Sequence, residues 1–219
     1  MNLQDYILND IKPVLVTEKV SDLQLLFNQL TYSHIPIKNE DGVYLGCISE
    51  TDAHCFKSTE HIKDITYSVE GFFVREQTNW LDVLEAFAQN HTNIMPVLDG
   101  NNKYLGYFEL NDIIGLFNET PFFAENGGIL IVEKGVQDYS FSEISQIVES
   151  NNGKLLGAFI SKIEKDVAQI TLKVGNSSLN DIMQTFRRYS YNIVLGHEED
   201  TYLEGLKERS DYLKRYLDI

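Results

Sequence analysis

The chain repeats itself. Gly46-Cys47-Ile48-Ser49-Glu50-Thr51-Asp52 recurs as Gly106-Tyr107-Phe108-Glu109-Leu110-Asn111-Asp112, and Asp22 with Asp82, Pro36 with Pro96 and Tyr44 with Tyr104 keep the same offset of 60 residues. One offset held across separate landmarks marks a tandem duplication. In each copy, apolar residues at helical spacing (Val20, Leu23, Leu26, Phe27 and Leu30; Leu81, Leu84, Ala86 and Phe87) lead to a short strand around a proline, a polar turn and a second strand. Two equivalent units packed face to face leave a pseudo-symmetric cleft suited to holding a ligand. Nothing in the repeat resembles a catalytic apparatus.

The first copy reads as strand 13–16, helix 21–30, strand 34–38, a turn at Asp41-Gly42, strand 44–48 and a helix from Asp52; the second copy repeats this order from Phe72 to Phe117. Leu3, Tyr6, Ile7 and Ile11 have the spacing of a short N-terminal helix docked on the module. The connector 58–65 is too brief to separate independent domains. A change of texture at Asn118-Glu119-Thr120-Pro121 and Asn126-Gly127-Gly128 marks the end of the repeat unit.

Beyond it the order is strand 129–133, a helix from Ser140 or Ser142 stopped at Asn151-Asn152-Gly153, strands 155–163 and 167–174 joined as a hairpin at Glu164-Lys165-Asp166, a helix capped by Ser177-Ser178, and a strand 192–196. This is the βαββαβ order of a ferredoxin-like unit. Leu203, Leu206, Leu213, Tyr216 and Leu217 lie among charges, which predicts an amphipathic C-terminal helix over 201–219, suited to packing on a partner subunit. The fold class is therefore α+β: residues 1–119 as two βαββα units (about 7–57 and 62–118), 126–200 as the βαββαβ domain, and the terminal helix.

A length of 219 residues suits two compact units. The formal charge of −15 and the scatter of only 18 basic residues argue against a nucleic-acid partner, whose binding rests on cationic side chains. No basic stretch followed by an apolar core opens the sequence, and no apolar run has membrane-spanning length, so no membrane partner and a cytoplasmic location are expected. Cys47, His54, Cys55 and His61 fall within 15 residues but lack paired metal-ligand spacing, so no metal site is expected and the thiols read as reduced. There is no G-x-S-x-G turn and no Walker loop, which argues against an enzyme.

The repeat resembles a pair of CBS domains, the tandem regulatory module that binds adenine nucleotides between its copies. The resemblance rests on Ile35-Pro36-Ile37 and Met95-Pro96-Val97, on Tyr44-Leu45-Gly46 and Tyr104-Leu105-Gly106, and on the closing Asp52 and Asp112. It implies a Gly-x-x-Ser/Thr-x-x-Asp site with a hydroxyl near phosphate at a helix N-terminus and a carboxylate on the ribose. The implied nucleotide-binding residues are His34, Ile35, Pro36, Ser49, Thr51, Asp52 and Asp112, with no catalytic residue and no required cofactor. Glu109 departs from the pattern, since it puts a carboxylate where the hydroxyl is expected. Asp52 and Asp112 are equally suited to capping a helix. Few cations lie in the repeats (Lys12, Lys38, Lys57, Arg75 and Lys103), so AMP, ADP or S-adenosylmethionine ranks above ATP.

The βαββαβ unit resembles an ACT domain, although Gly135-Val136-Gln137-Asp138 lacks the Pro-Gly of the typical effector turn. The two units in this order are similar to bacterial acetoin-utilization regulatory proteins. The implied function is a non-enzymatic sensor of an adenosine-containing ligand acting as a homodimer, with an unidentified target protein. The alternative is a ligand-free dimeric scaffold that docks a partner protein.

Overall fold

Each copy of the repeat folds into a three-stranded sheet faced by helices. A computed structural model describes residues 3–175 and 178–195. The first copy runs β1 (Val14–Leu15), α1 (Val20–Gln29), β2 (His34–Lys38), β3 (Tyr44–Ser49) and α2 (Glu50–Cys55). The second runs β4 (Val74–Arg75), α3 (Trp80–Asn90), β5 (Ile94–Leu98), β6 (Tyr104–Glu109) and α4 (Leu110–Asn118). The sheets are ordered β1-β2-β3 and β4-β5-β6, with the first pair of strands parallel and the second antiparallel in both. Even the irregularity is duplicated: each antiparallel ladder shifts register at the same place, between Ile37 and Lys38 and between Val97 and Leu98.

The helices form for ordinary reasons. In α1, Val20, Leu23 and Phe27 recur at i, i+3 and i+7 and are buried; in α3, Val83 and Phe87 are buried at i and i+4. Asn79 caps α3, its side-chain oxygen accepting from the N–H groups of Leu81 and Asp82, and His91 ends it in the left-handed conformation at φ 49°.

The copies are stitched crosswise by the segments that precede them. Leu8 exchanges two backbone hydrogen bonds with Tyr107 of β6 (2.9 and 2.8 Å), and Glu70 exchanges two with Cys47 of β3 (both 2.8 Å). This close approach explains Gly46 and Gly106. A Cβ on Gly106 would lie 2.2 Å from the Leu8 carbonyl oxygen, and one on Gly46 would lie 2.6 Å from that of Glu70. The helix expected at the N-terminus is therefore only a 3-10 turn, Leu3–Tyr6, because the backbone beyond it pairs with β6. Tyr44 crosses as well: it packs in the apolar cluster of the second copy with Phe72 and Val97, stacks on Tyr104 at 6.5 Å, and donates its hydroxyl to the Phe72 carbonyl at 2.7 Å.

The chain divides into two compact units after Phe117. In the second, the aromatic turn region forms a short helix, α5 (Pro121–Ala124), with proline in its first turn. The order then runs β7 (Gly128–Gly135), α6 (Phe141–Ser150), β8 (Lys154–Glu164), β9 (Val167–Gly175), α7 (Leu179–Arg188) and β10 (Asn192–Leu195). The antiparallel sheet is ordered β10-β7-β9-β8. Lys165 and Asp166, at φ 48° and 62°, make the β8–β9 turn, as two-residue hairpins require. Alternate residues Leu130, Val132, Ile170 and Leu172 face Ile144, Ile147, Ile182, Met183 and Phe186 of the two helices. Ser140 caps α6 by accepting from Glu143 N–H, whereas Ser178, at the cap position of α7, makes no such bond. Ser177, Gly196 and the expected helix 201–219 lie outside the described residues. No helix among the described residues is long and apolar enough to cross a membrane.

Candidate functional site

The β2–β3 ladder puts His34 directly opposite Ser49, and α2 starts at the next residue. The cap of α2 is Ser49, whose hydroxyl accepts the Asp52 N–H at 3.1 Å; α2 therefore begins two residues earlier than expected, and Asp52 stands in its first turn instead of capping it. A serine that accepts one hydrogen bond retains its own proton for another partner. Thr51 is exposed, and Asp52 is half-buried. Ile35 is fully buried in the first copy's core beside Val20, Leu23 and Ile48, and Pro36 is buried opposite Cys47.

His34 is 6% exposed, edge-on to Phe72 at 5.2 Å. Its Nδ1 lies 2.8 Å from the Ser33 hydroxyl and its Nε2 lies 3.5 Å from a Glu70 carboxylate oxygen. Burial lowers its pKa, and the negative charges of Glu70 and Asp52 oppose that shift without cancelling it. His34, Ser49, Asp52 and Glu70 thus gather at the start of α2, and Glu70 arrives there by the crosswise stitch to β3.

The corresponding place in the second copy is furnished differently. The same register sets Ile94 opposite Glu109, and Asp112 stands in the first turn of α4. Tyr32, from the first copy, donates its hydroxyl to the Glu109 carboxylate. Tyr107 donates to Asp10 at 2.7 Å, and this bond lowers the Asp10 pKa. The two tyrosine oxygens are 3.2 Å apart, with both protons committed to carboxylates, and their rings meet edge to face at 5.5 Å. Glu109, Tyr32, Tyr107 and Asp10 satisfy one another where the first copy leaves a serine, a buried imidazole and two acidic side chains.

Between the two places lies a clasp that sequence reasoning missed. Ser33 and Asn93, related by the 60-residue offset, bind each other: Ser33 N–H donates to the Asn93 side-chain oxygen at 2.8 Å, and Asn93 N–H donates to the Ser33 hydroxyl at 3.1 Å. Their carbonyls accept from Glu50 N–H and Leu110 N–H, the first residues of α2 and α4. The available signal was a polar residue just before β2 and β5 at equivalent positions. Two of the five candidate cations are engaged elsewhere: Lys12 holds the backbone and side chain of Asn9, and Arg75 donates to Asp99 and Asn102. Burial pushes the Cys47 thiol up to about 12, and no group of three or more His, Cys, Asp or Glu among the described residues is placed to hold a metal ion.

Residues 62–119 match the family described as CBS domain. The first copy reproduces the strand order and ladder registers of this segment, so the first unit holds a CBS-type pair. No curated protein matches the chain. Among solved structures, a CBS domain pair/ACT domain protein from Thermotoga maritima is 20% identical, with a TM-score of 0.49 over 54% of this chain and 98% of that one. The CBS domains of a transcriptional regulator from Streptococcus pneumoniae are 20% identical, with a TM-score of 0.48 over 52% and 98%. CBSX2, solved in complex with AMP, is 14% identical, with a TM-score of 0.44 over 53% and 95%.

Proposed function

We propose that residues 1–119 form a non-catalytic, cytoplasmic sensor that takes an adenosine-containing ligand beside His34, Ser49 and Asp52. The supporting observation is the assembly of a capping serine with a spare proton, a first-turn carboxylate and a buried imidazole at one helix start. The first suits an anionic or polar ligand group and the second a ribose hydroxyl. The CBS match of the second copy supports the same reading. With Lys12 and Arg75 engaged elsewhere and Glu70 close by, AMP, ADP or S-adenosylmethionine ranks ahead of ATP, whose larger negative charge would meet the carboxylates of Asp52 and Glu70.

The βαββαβ unit, read as ACT-like over 126–200, serves dimerisation or effector binding, and the two-unit order suits a regulator similar to those of acetoin utilization. In its turn after β7, a Cβ on Gly135 would lie 2.6 Å from an Asp138 carboxylate oxygen, so that glycine answers to the loop's own aspartate. A ligand-free scaffold is the second reading; it is favoured by Glu109, which Tyr32 already satisfies. Thermal denaturation against AMP, ADP, ATP and S-adenosylmethionine separates the two. At 100 times its Kd, a ligand of the native state adds about 2.7 kcal/mol of stability, and under the sensor reading that gain falls to about half or less in Asp52→Ala. No gain with any of the four favours the scaffold.

A further inference from the structure

The charge at the first place is set by a residue that the repeat does not share. Glu70 and Leu8 hold equivalent positions, each exchanging two backbone hydrogen bonds with the matching strand residue of a copy, Cys47 and Tyr107. A carboxylate thus stands beside the first ladder where the second has an aliphatic side chain. The backbone of Glu70 is fixed on both sides. Its two bonds to Cys47 are each 2.8 Å, a Cβ on Gly46 would already collide with the Glu70 carbonyl, and Phe72, two residues on, is buried with its carbonyl accepting the Tyr44 hydroxyl at 2.7 Å. The side chain, in contrast, is 48% exposed, with a carboxylate oxygen 3.5 Å from His34 Nε2.

Asp52 brings a second negative charge close enough to act on the same imidazole. Among the described ion pairs, no lysine or arginine meets either carboxylate. Burial lowers the His34 pKa, so the imidazole offsets little of this charge at neutral pH. A half-open place that carries two carboxylates and no paired lysine or arginine attracts a positive ligand group and repels a phosphate. We propose that Glu70 is the specificity-determining residue of this place and selects an adenosine-type ligand bearing a positive charge, a sulfonium or an amine, over one bearing a phosphate. The proposal rests on the adenosine reading of the place formed by His34, Ser49 and Asp52, and narrows it. In that reading Asp52 is taken up by the ribose hydroxyls, which leaves the Glu70 carboxylate to face the group that distinguishes one adenosine ligand from another.

S-adenosylmethionine and S-adenosylhomocysteine differ by a methyl group and the sulfonium charge, so the ratio of their affinities reads the charge preference, and AMP supplies the phosphate. Equilibrium dialysis of the three against the parent chain and Glu70→Gln, which keeps the side-chain shape and removes its charge, tests the proposal. The parent is expected to bind S-adenosylmethionine about 10-fold more tightly than either of the others, and Glu70→Gln to reduce both ratios to about 3-fold or less. On the parent alone, raising the salt from about 0.05 M to about 0.5 M is expected to shrink the ratio of S-adenosylmethionine to S-adenosylhomocysteine, because screening acts on the charge and not on the methyl contact. AMP bound by the parent at least as tightly as S-adenosylmethionine, or a ratio unmoved by the substitution or by salt, would overturn the proposal and leave the adenosine reading in place. Binding of none of the three would overturn that reading and the proposal with it.

Discussion

The two copies of the repeat share a backbone register and differ in the chemistry that register presents. At the end of the first ladder stand His34 and Ser49; at the end of the second stand Ile94 and Glu109. The serine caps a helix and keeps a proton to give, whereas the glutamate is met by Tyr32 of the opposite copy. Glu70 reaches the first place and Asp10 the second, and only in the second are the polar groups tied off among tyrosines. The difference teaches that the fold is carried by apolar positions, two glycines and the Ser33–Asn93 clasp, all common to both halves, while the polar groups presented at a few register positions are where the halves have diverged. In the second place the carboxylates of Glu109 and Asp10 already have tyrosine donors.

The largest expected effect breaks what the copies share. Gly106→Ala drives a Cβ into the Leu8 carbonyl, which is held by backbone pairing, and against the Ile7 side chain, and is expected to cost about 3 kcal/mol or more in urea denaturation. Gly115→Ala, which meets nothing within 4 Å, serves as the control; equal stability of the two variants would contradict the crosswise stitch. A smaller effect sharpens the difference. Tyr32→Phe removes the donor to Glu109 and is expected to destabilise by about 1–2 kcal/mol, through loss of a hydrogen bond to a half-buried carboxylate. A Tyr32→Phe protein as stable as the parent would show that the second place does not depend on this bond.

The smallest effect concerns His34. Its folded pKa is below the ordinary 6.5, so the unfolded chain binds the proton more readily and stability falls as pH drops through and below that value. His34→Asn should flatten this limb of the stability profile and leave the profile above pH about 7.5 parallel to that of the parent. A parent and variant that lose stability together on acidification would place the dependence elsewhere.

Much of this was legible in the sequence, for identifiable reasons. The repeat showed through landmarks at one offset, and the β8–β9 hairpin through alternation interrupted at Glu164-Lys165-Asp166, because periodicity and turn chemistry are local signals. The N-terminal segment misled because Leu3, Tyr6, Ile7 and Ile11 are spaced as on a helix, while the backbone pairing of Leu8 with Tyr107 leaves no trace in side-chain pattern. The clasp of Ser33 with Asn93 and the bond of Tyr32 to Glu109 join residues 60 and 77 positions apart, and only the packing of one copy on the other brings them together. Ser49 stood out in the sequence through the Gly-x-x-Ser-x-x-Asp pattern, but its role as the cap of α2 follows from where β3 ends.

Titration calorimetry of AMP and of S-adenosylmethionine into the protein, its Asp52→Ala variant and its Asp112→Ala variant tests the central claim most directly. The account predicts one molecule of one of these ligands per chain, weakened at least about 10-fold by Asp52→Ala, the loss of a charge-assisted hydrogen bond, and unchanged by Asp112→Ala. Two molecules per chain, equal sensitivity to the two substitutions, or no binding of either ligand would contradict it.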